Sequence, residues 1–388
     1  MQEAEQAVYE QAEEVARTQA GYLPQVTAST RAEYNSVLDR NVNVATVTAS
    51  QLLYDFGRTG GAVDVAVAGR EQREYELLAA VDRVVADTAA AYVEVQRNLR
   101  LRDIAADQVA GLEEIAGLVQ ERAERGAGGR SDLRQAHARV HAARITQSEI
   151  VAALDRAMRD LRQHVPVRSV DDLARELPDA VHGACVDPHL NTDDLPDVQA
   201  ASAARAAAGA SQRVARAERM PRVSLDYQVD RFFDSRIDDQ TQSAVFLNVS
   251  LDLFRGGANR AQTRGASFAV ERADATRRST RMEAERALEN AQTHAGELRS
   301  RQALFHERLD YLEESRQLQR TQYVSLGQRS LIDLLNVEQE FFQARFDAAS
   351  TEFELHDLQI DCLKHGGRLR AVLDIDSPLA TFTEDFRQ

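Results

Sequence analysis

Two periodicities divide this chain. Val223, Leu225, Tyr227 and Val229 alternate with Ser224, Asp226, Gln228 and Asp230; after a polar loop, Val245, Leu247, Val249, Leu251 and Leu253 alternate with Phe246, Asn248, Ser250 and Asp252. Period two is the mark of a strand with one wet face. Nearer the start, Val26, Ala28, Ala32 and Tyr34 alternate with Thr27, Ser29, Arg31 and Glu33, and residues 42–54 carry a fourth, less regular alternation. Each run is about 10 residues long, the span a tilted strand needs to cross a bilayer. Tyr22, Tyr34, Tyr54, Phe56, Phe232, Phe233 and Phe254 fall near the strand ends, as in the aromatic girdles of membrane barrels. The general preference of aromatics for strands explains them equally well.

The rest of the chain keeps a helical period. Leu133, Ala136, Val140, Ala143, Gln147, Ile150, Leu154, Ala157 and Leu161 follow strict 3,4 spacing. Leu334, Val337, Phe341, Ala344, Ala348, Thr351, Leu355, Leu358 and Cys362 repeat the seam about 200 residues later. Ahead of each seam lies an Ala/Glu/Arg-rich stretch without proline, near residues 60–124 and 260–324. At about 1.5 Å per residue each extends roughly 100 Å as a helix. Such helices need coiled-coil neighbours rather than a globular core.

Strands and helices come in one order, twice. Tyr22-Leu23-Pro24-Gln25-Val26 answers Met220-Pro221-Arg222-Val223, Leu53-Tyr54-Asp55-Phe56-Gly57-Arg58 answers Leu251-Asp252-Leu253-Phe254-Arg255-Gly256, and Gly126 and Asp132 answer Gly327 and Asp333. The expected organisation is a first repeat over 1–166, an inter-repeat segment over 167–198, a second repeat over 199–365 and a tail over 366–388. Pro166, Pro178, Pro188 and Pro196, with Asp171, Asp172, Asp193 and Asp194, interrupt the helical pattern between the repeats. That segment is either a packed equatorial belt or an unpacked link.

Four strands in two hairpins cannot close a barrel, and lipid does not tolerate an open edge. Two copies would give eight strands around a filled interior; three give twelve around an open pore. Composition agrees with long helices: 43% hydrophobic, 6% aromatic, with Lys364 the single lysine among 47 basic residues. The 62 acidic residues leave a net charge of −15, which argues against nucleic acid as a partner. Mean hydropathy is −0.44 and no apolar run is long enough for a membrane helix. Met1 to Glu5 lacks a basic stretch followed by an apolar core, so an exported protein's true start is expected upstream, removed or misassigned.

In their order and spacing, four segments resemble the TolC-like outer-membrane efflux protein family over nearly the whole chain. They are Tyr22-Leu23-Pro24, Gln51-Leu52-Leu53-Tyr54-Asp55-Phe56-Gly57-Arg58, Gly126 to Ala136, and Gly327-Gln328-Arg329-Ser330-Leu331-Ile332-Asp333-Leu334-Leu335-Asn336-Val337-Glu338. The start, partway into the first helix, departs from the family pattern. The resemblance implies a mainly α fold with a membrane β-barrel part: a homotrimer forming a 12-stranded β-barrel in outer-membrane lipid, continued by an α-helical barrel across the periplasm. It implies a passive duct, not an enzyme and without cofactor, completed by a periplasmic adaptor protein and an inner-membrane transporter. The last segment looks closer to members serving type I secretion than to drug-efflux members, which favours an ABC-type pump over a proton-driven one.

By the same resemblance Asp333 lines the narrowest constriction, and Asn336 makes neutral a position that is acidic in the family. Arg329 matches a residue that reaches the neighbouring coil, where Ser131 and Asp132 occupy the partner sites, beside the turns at Gly126 and Gly327. Ser131 and Asp132 read equally well as helix N-caps. Loops near 35–41 and 234–242, the second acidic through Asp234, Asp238 and Asp239, are expected outside the cell.

Rival chemistry is thin. His137 and His141 share a helix face at i, i+4, but no HExxH glutamate and no third ligand accompany them, so no metal site is expected. Gly126-Ala127-Gly128-Gly129 lacks the Lys-Ser/Thr of a phosphate loop, and Arg272, Arg277, Arg278 and Arg281 read as a solvated helix face. Cys185 and Cys362, the two cysteines, are either bridged in an oxidising compartment or two thiols, with Cys362 a small core residue. A soluble coiled-coil scaffold or periplasmic adaptor is the alternative function; it accounts for the helices and leaves the strands unexplained.

Overall fold

A computed structural model describes residues 1–35, 40–126, 129–167, 169, 173, 177–179, 181–187, 191–233, 240–326 and 329–375. The first repeat runs α1 (Gln2–Gln19), β1 (Gln25–Asn35), β2 (Arg40–Tyr54), α2 (Arg58–Glu124) and α3 (Arg130–His164). The second gives the same order as α4 (Pro196–Ala217), β3 (Arg222–Phe232), β4 (Thr241–Ser250), α5 (Ala258–Thr321) and α6 (Leu331–His365), followed by the single turn α7 (Leu369–Val372). The chain forms two compact units, and each draws on both repeats: among the described residues one gathers 1–80 and 193–283, the other 81–192 and 284–375.

The first unit holds an antiparallel sheet in the order β1-β2-β3-β4, so the β2–β3 pairing stitches the two repeats together. Val26 pairs with Ala49, Val47 with Val229, and Leu225 with Leu247, which puts the apolar positions of all four strands on one face. A register shift between Leu52 and Tyr54 places one extra residue in β2, the physical source of its irregular alternation. The alternation predicts that the last strand continues to Leu253; instead β4 ends at Ser250. Its partner β3 begins at Arg222, directly opposite Ser250, so the ladder has nothing further to bond.

Asp55 turns the chain from β2 into α2. Its carboxylate accepts from the Gly57 and Thr59 amides at 3.1 and 2.7 Å and from the Thr59 hydroxyl at 2.6 Å. Burial pushes this carboxyl up, but those donors prevail and hold it below the usual range. Further along α2, α1 seats Val8 on Leu77, and α4, opened by Pro196 at a position where its missing N–H costs nothing, ties Arg213 to Asp64 at 2.7 Å.

In the second unit α2 and α3 pack against α5 and α6. The expected α3 seam is buried at Ala136, Val140, Ala143, Leu154, Ala157 and Leu161. On α6 the buried face is wider than a two-position seam: Leu335, Glu338 and Phe342 are enclosed, with Phe342 1% exposed. The extra width comes from a third neighbour, since Phe342 packs on Ile104 of α2. The second long helix ends at Thr321 and passes into a π-helical turn over Gln322–Leu326.

Part of the inter-repeat segment packs on the long helices, while Val186 is exposed. Val181 and Ala184 bury against Ala86 and Val93 of α2 and Ile360 and Leu363 of α6. Cys185 is bonded to Cys362 with Cα atoms 5.1 Å apart, amid Ala295, Leu298 and Leu355. Ion pairs of 2.6 Å join Asp187 to Arg368 and Asp82 to Arg370. Pro188, Asp171 and Asp172 lie outside the described residues.

Candidate functional site

Two regions carry the chemistry, the sheet and the turn end of the long helices. On one face of the sheet Val26, Val47, Leu225, Tyr227, Val245, Leu247 and Val249 are all exposed, Leu247 by 66%. A large open apolar face is costly in water and natural in lipid. The opposite face carries Thr27, Ser29, Thr46, Thr48, Ser50, Ser224, Asp226, Gln228 and Asp230 in register. Its carboxylates are held by neighbours on that face: Thr46 and Gln228 donate to Asp230 at 2.6 and 2.8 Å, and Ser50 donates to Asp226 at 2.5 Å. Such a face is wetted rather than packed. β1 and β4 are the outer strands, and β4 is exposed at every position. Among the described residues no helix is long and apolar enough to cross a membrane.

At the helical tip Gly126 closes α2 with φ +76°, in the left-handed region that glycine enters without strain. Gly327, its expected counterpart, lies outside the described residues. Asp333 occupies the first turn of α6 as half of a capping box: Ser330 accepts from the Asp333 amide at 3.2 Å, and Asp333 accepts from the Ser330 amide at 3.3 Å and hydroxyl at 2.9 Å. Asn336, one turn further, is exposed.

Within one chain the expected gate trio is not joined. Arg329 donates to Gln322 at 3.2 Å on its own hairpin, and Ser131 donates to Asp132 at 3.2 Å. Ser131 and Asp132 do not cap α3 either; the cap position is Gly129, leaving them inside the first turn. One contact that does cross between the hairpins joins residues that no motif singles out. Arg122 donates to the Tyr323 carbonyl at 2.5 Å and lies 4.6 Å above its ring. Burial pushes the Tyr323 hydroxyl up, Arg122 opposes this, and Asp132 adds to it, so charges from both α2 and α3 act on this ring. The repeat itself aligns the two residues: Arg122 stands four residues before Gly126, and Tyr323 four residues before Gly327.

His137 and His141 are exposed on α3, and no group of three or more metal-ligating side chains occurs among the described residues.

Known proteins match this architecture. The sequence profile of the outer membrane efflux protein family matches residues 1–165 and 192–357. The chain is 25% identical over 248 residues to protein CyaE of Bordetella pertussis, a match that covers 60% of this chain and 51% of CyaE, so that it spans about half of that relative. It is 22% identical over 384 residues to the outer membrane efflux protein BepC of Brucella suis, covering 93% of this chain and 80% of BepC. The outer membrane protein VceC of Vibrio cholerae superposes with a TM-score of 0.80 at 17% identity, over 94% of this chain and 92% of VceC. A sheet with one lipid-suited face, long paired helices given twice, and a profile match along both repeats place the chain in the outer membrane efflux protein family, whose members are outer-membrane channels reaching into the periplasm.

Proposed function

We propose that three copies of this chain build a duct through which an inner-membrane pump exports its substrate passively across the outer membrane. The observation that carries the reading is the sheet: four strands, one apolar and one polar face, and two outer strands with a free edge each. Lipid leaves no backbone group unbonded, so β4 of one copy pairs with β1 of the next, and three sheets close a twelve-stranded barrel with Asp226 and Asp230 toward the water. The helices continue the wall, with the described parts of the segment 167–198 and of the tail 366–388 around them as a belt; residues 376–388 lie outside the described residues. At the tip, Asp333 from each copy lines the constriction beside neutral Asn336, and Arg329 links to Ser131 and Asp132 of an adjacent coil, with the turns at Gly126 and Gly327 forming the rim.

A periplasmic adaptor and an ABC-type transporter complete the path, and the substrate is a secreted protein. The likeness of the Gly327–Glu338 segment to type I secretion channels supports this choice over drug efflux. Outer-membrane fractions should contain a band that shifts on heating, and the purified protein should form pores in planar bilayers; protein found only in soluble fractions would refute the channel. A deletion strain should lose a protein from its medium without becoming sensitive to small toxic compounds, and the reverse outcome would assign drug efflux.

A further inference from the structure

Among the described residues only two acids are deeply buried, Asp55 and Glu338. Asp55 has its turn to hold. Glu338 lies on α6 five residues beyond Asp333 and is 2% exposed. Arg316 of α5 takes both of its oxygens, donating from Nε to Oε2 at 2.6 Å and from Nη2 to Oε1 at 3.0 Å. The same guanidinium lies 4.8 Å over the Phe341 ring and contacts Glu313 at 3.2 Å.

What covers this ion pair is a missing side chain. A Cβ on Gly111 of α2 would stand 2.6 Å from Glu338 Oε1, and the carboxylate could move away only by disturbing its two hydrogen bonds to Arg316. Glycine is a poor residue for a helix interior, and Gly111 lies inside the last third of α2. Asp107, Gly111 and Glu114 fall at i, i+4 and i+7 on one face of α2. The flanking pair meets the second hairpin too: Arg345 reaches Asp107 at 2.9 Å, and Arg320 pairs with Glu114.

The energetics of this seam differ from those of an apolar one. Two ions taken from water recover only part of their hydration through mutual attraction. Arg316 and Glu338 both belong to the α5–α6 hairpin, so if that hairpin lifts from α2 the pair stays intact and regains water. The fit over Gly111 defines where the hairpin rests, and rehydration lowers the cost of leaving.

We propose that Gly111, Arg316 and Glu338 form a rehydratable catch that sets the resting position of the α5–α6 hairpin on α2, and so positions Arg329 and Asp333 at its tip. They are positioning residues for opening, and the inference rests on the channel reading above.

The test is conductance of the purified protein in planar bilayers, with heat stability of the assembled protein recorded for each variant. Gly111→Ala should wedge the seam and raise resting conductance by about fivefold, the lower range of coupling between linked sites. Adding Glu338→Asp to Gly111→Ala shortens the carboxylate and should restore the resting value. Arg316→Met with Glu338→Leu replaces the ions by apolar groups and should lower opening by about fivefold. A merely structural role would not give opposite signs within one seam. Wild-type conductance in all three, or opening of the apolar variant in the manner of Gly111→Ala, would overturn the catch. Should Gly111→Ala fail to assemble, the sign of the apolar variant decides alone. Wild-type protein that forms no pore would remove the channel reading itself, a result distinct from a conducting wild type with indifferent variants.

Discussion

At the scale of single residues the tip and the inter-repeat segment make opposite use of charge. On the proposed reading three Asp333 carboxylates surround the narrowest point and favour cations. Asp333→Ala should therefore reduce cation selectivity and block by divalent ions in planar bilayers, while Arg329→Ser should enlarge conductance; no change in either would leave these residues to their roles within the hairpin. His356 stands edge-on to His182 with ring centres 5.4 Å apart, and its Nδ1 is buried without a hydrogen-bond partner. Burial, and then His182, push its imidazole down to about 4 from 6.5. The folded form thus binds fewer protons than the unfolded chain across that window, and stability is lost as pH falls through it. Asp357 acts with the opposite sign. Burial, then Glu94 and Asp361, raise its carboxyl from 3.8 to about 6, so acidification through that range adds stability. Thermal melts between pH 7 and pH 4.5 should separate them: Asp357→Asn should steepen the loss in acid relative to wild type, and His356→Gln should flatten or reverse it.

At the scale of elements the sheet makes the sharpest forecast, because neighbouring positions of one strand face different solvents. Leu247 is on the apolar face and Phe246 on the face of Asp226, its partner in register. Leu247→Arg should cost about 2–4 kcal/mol when that face meets the bilayer midplane, and Phe246→Arg far less. The amount of heat-modifiable protein in the outer membrane measures the contrast, and equal losses would contradict the assigned faces. The strands were legible from period two alone, since that signal needs no knowledge of the partner. Their ends were not. The ladder stops at Ser250 because β3 starts at Arg222, which depends on a strand that lies beyond a loop. The capping box of α6 is local, Ser-x-x-Asp, and legible in principle; reading Asp333 for the pore hides it.

At the scale of the whole chain one covalent link spans the greatest distance. The Cys185–Cys362 bond closes a loop of 177 residues. Constraining an unfolded chain over such a length contributes about 2–5 kcal/mol. Cys362→Ser should lower the heat midpoint, and reductant should lower that of the wild type to the same degree without affecting the variant. Two thiols labelled in unreduced, denatured protein would exclude the bond.

The amino-acid sequence by itself determined the repeat, the strand faces and the coiled-coil seams, because each is a periodicity that the backbone geometry of a single element imposes on its own residues. It also carries the proposal of other copies, since a four-stranded sheet with a lipid-suited face has no way to close alone. What only the tertiary structure decided are meetings between residues far apart in the chain. Arg122 finds Tyr323, Gly111 makes room for Glu338, and Cys185 finds Cys362. No local pattern distinguishes Gly111 from other glycines of α2 or Glu338 from other acids of α6; their roles come from the distance between side chains that only packing brings together.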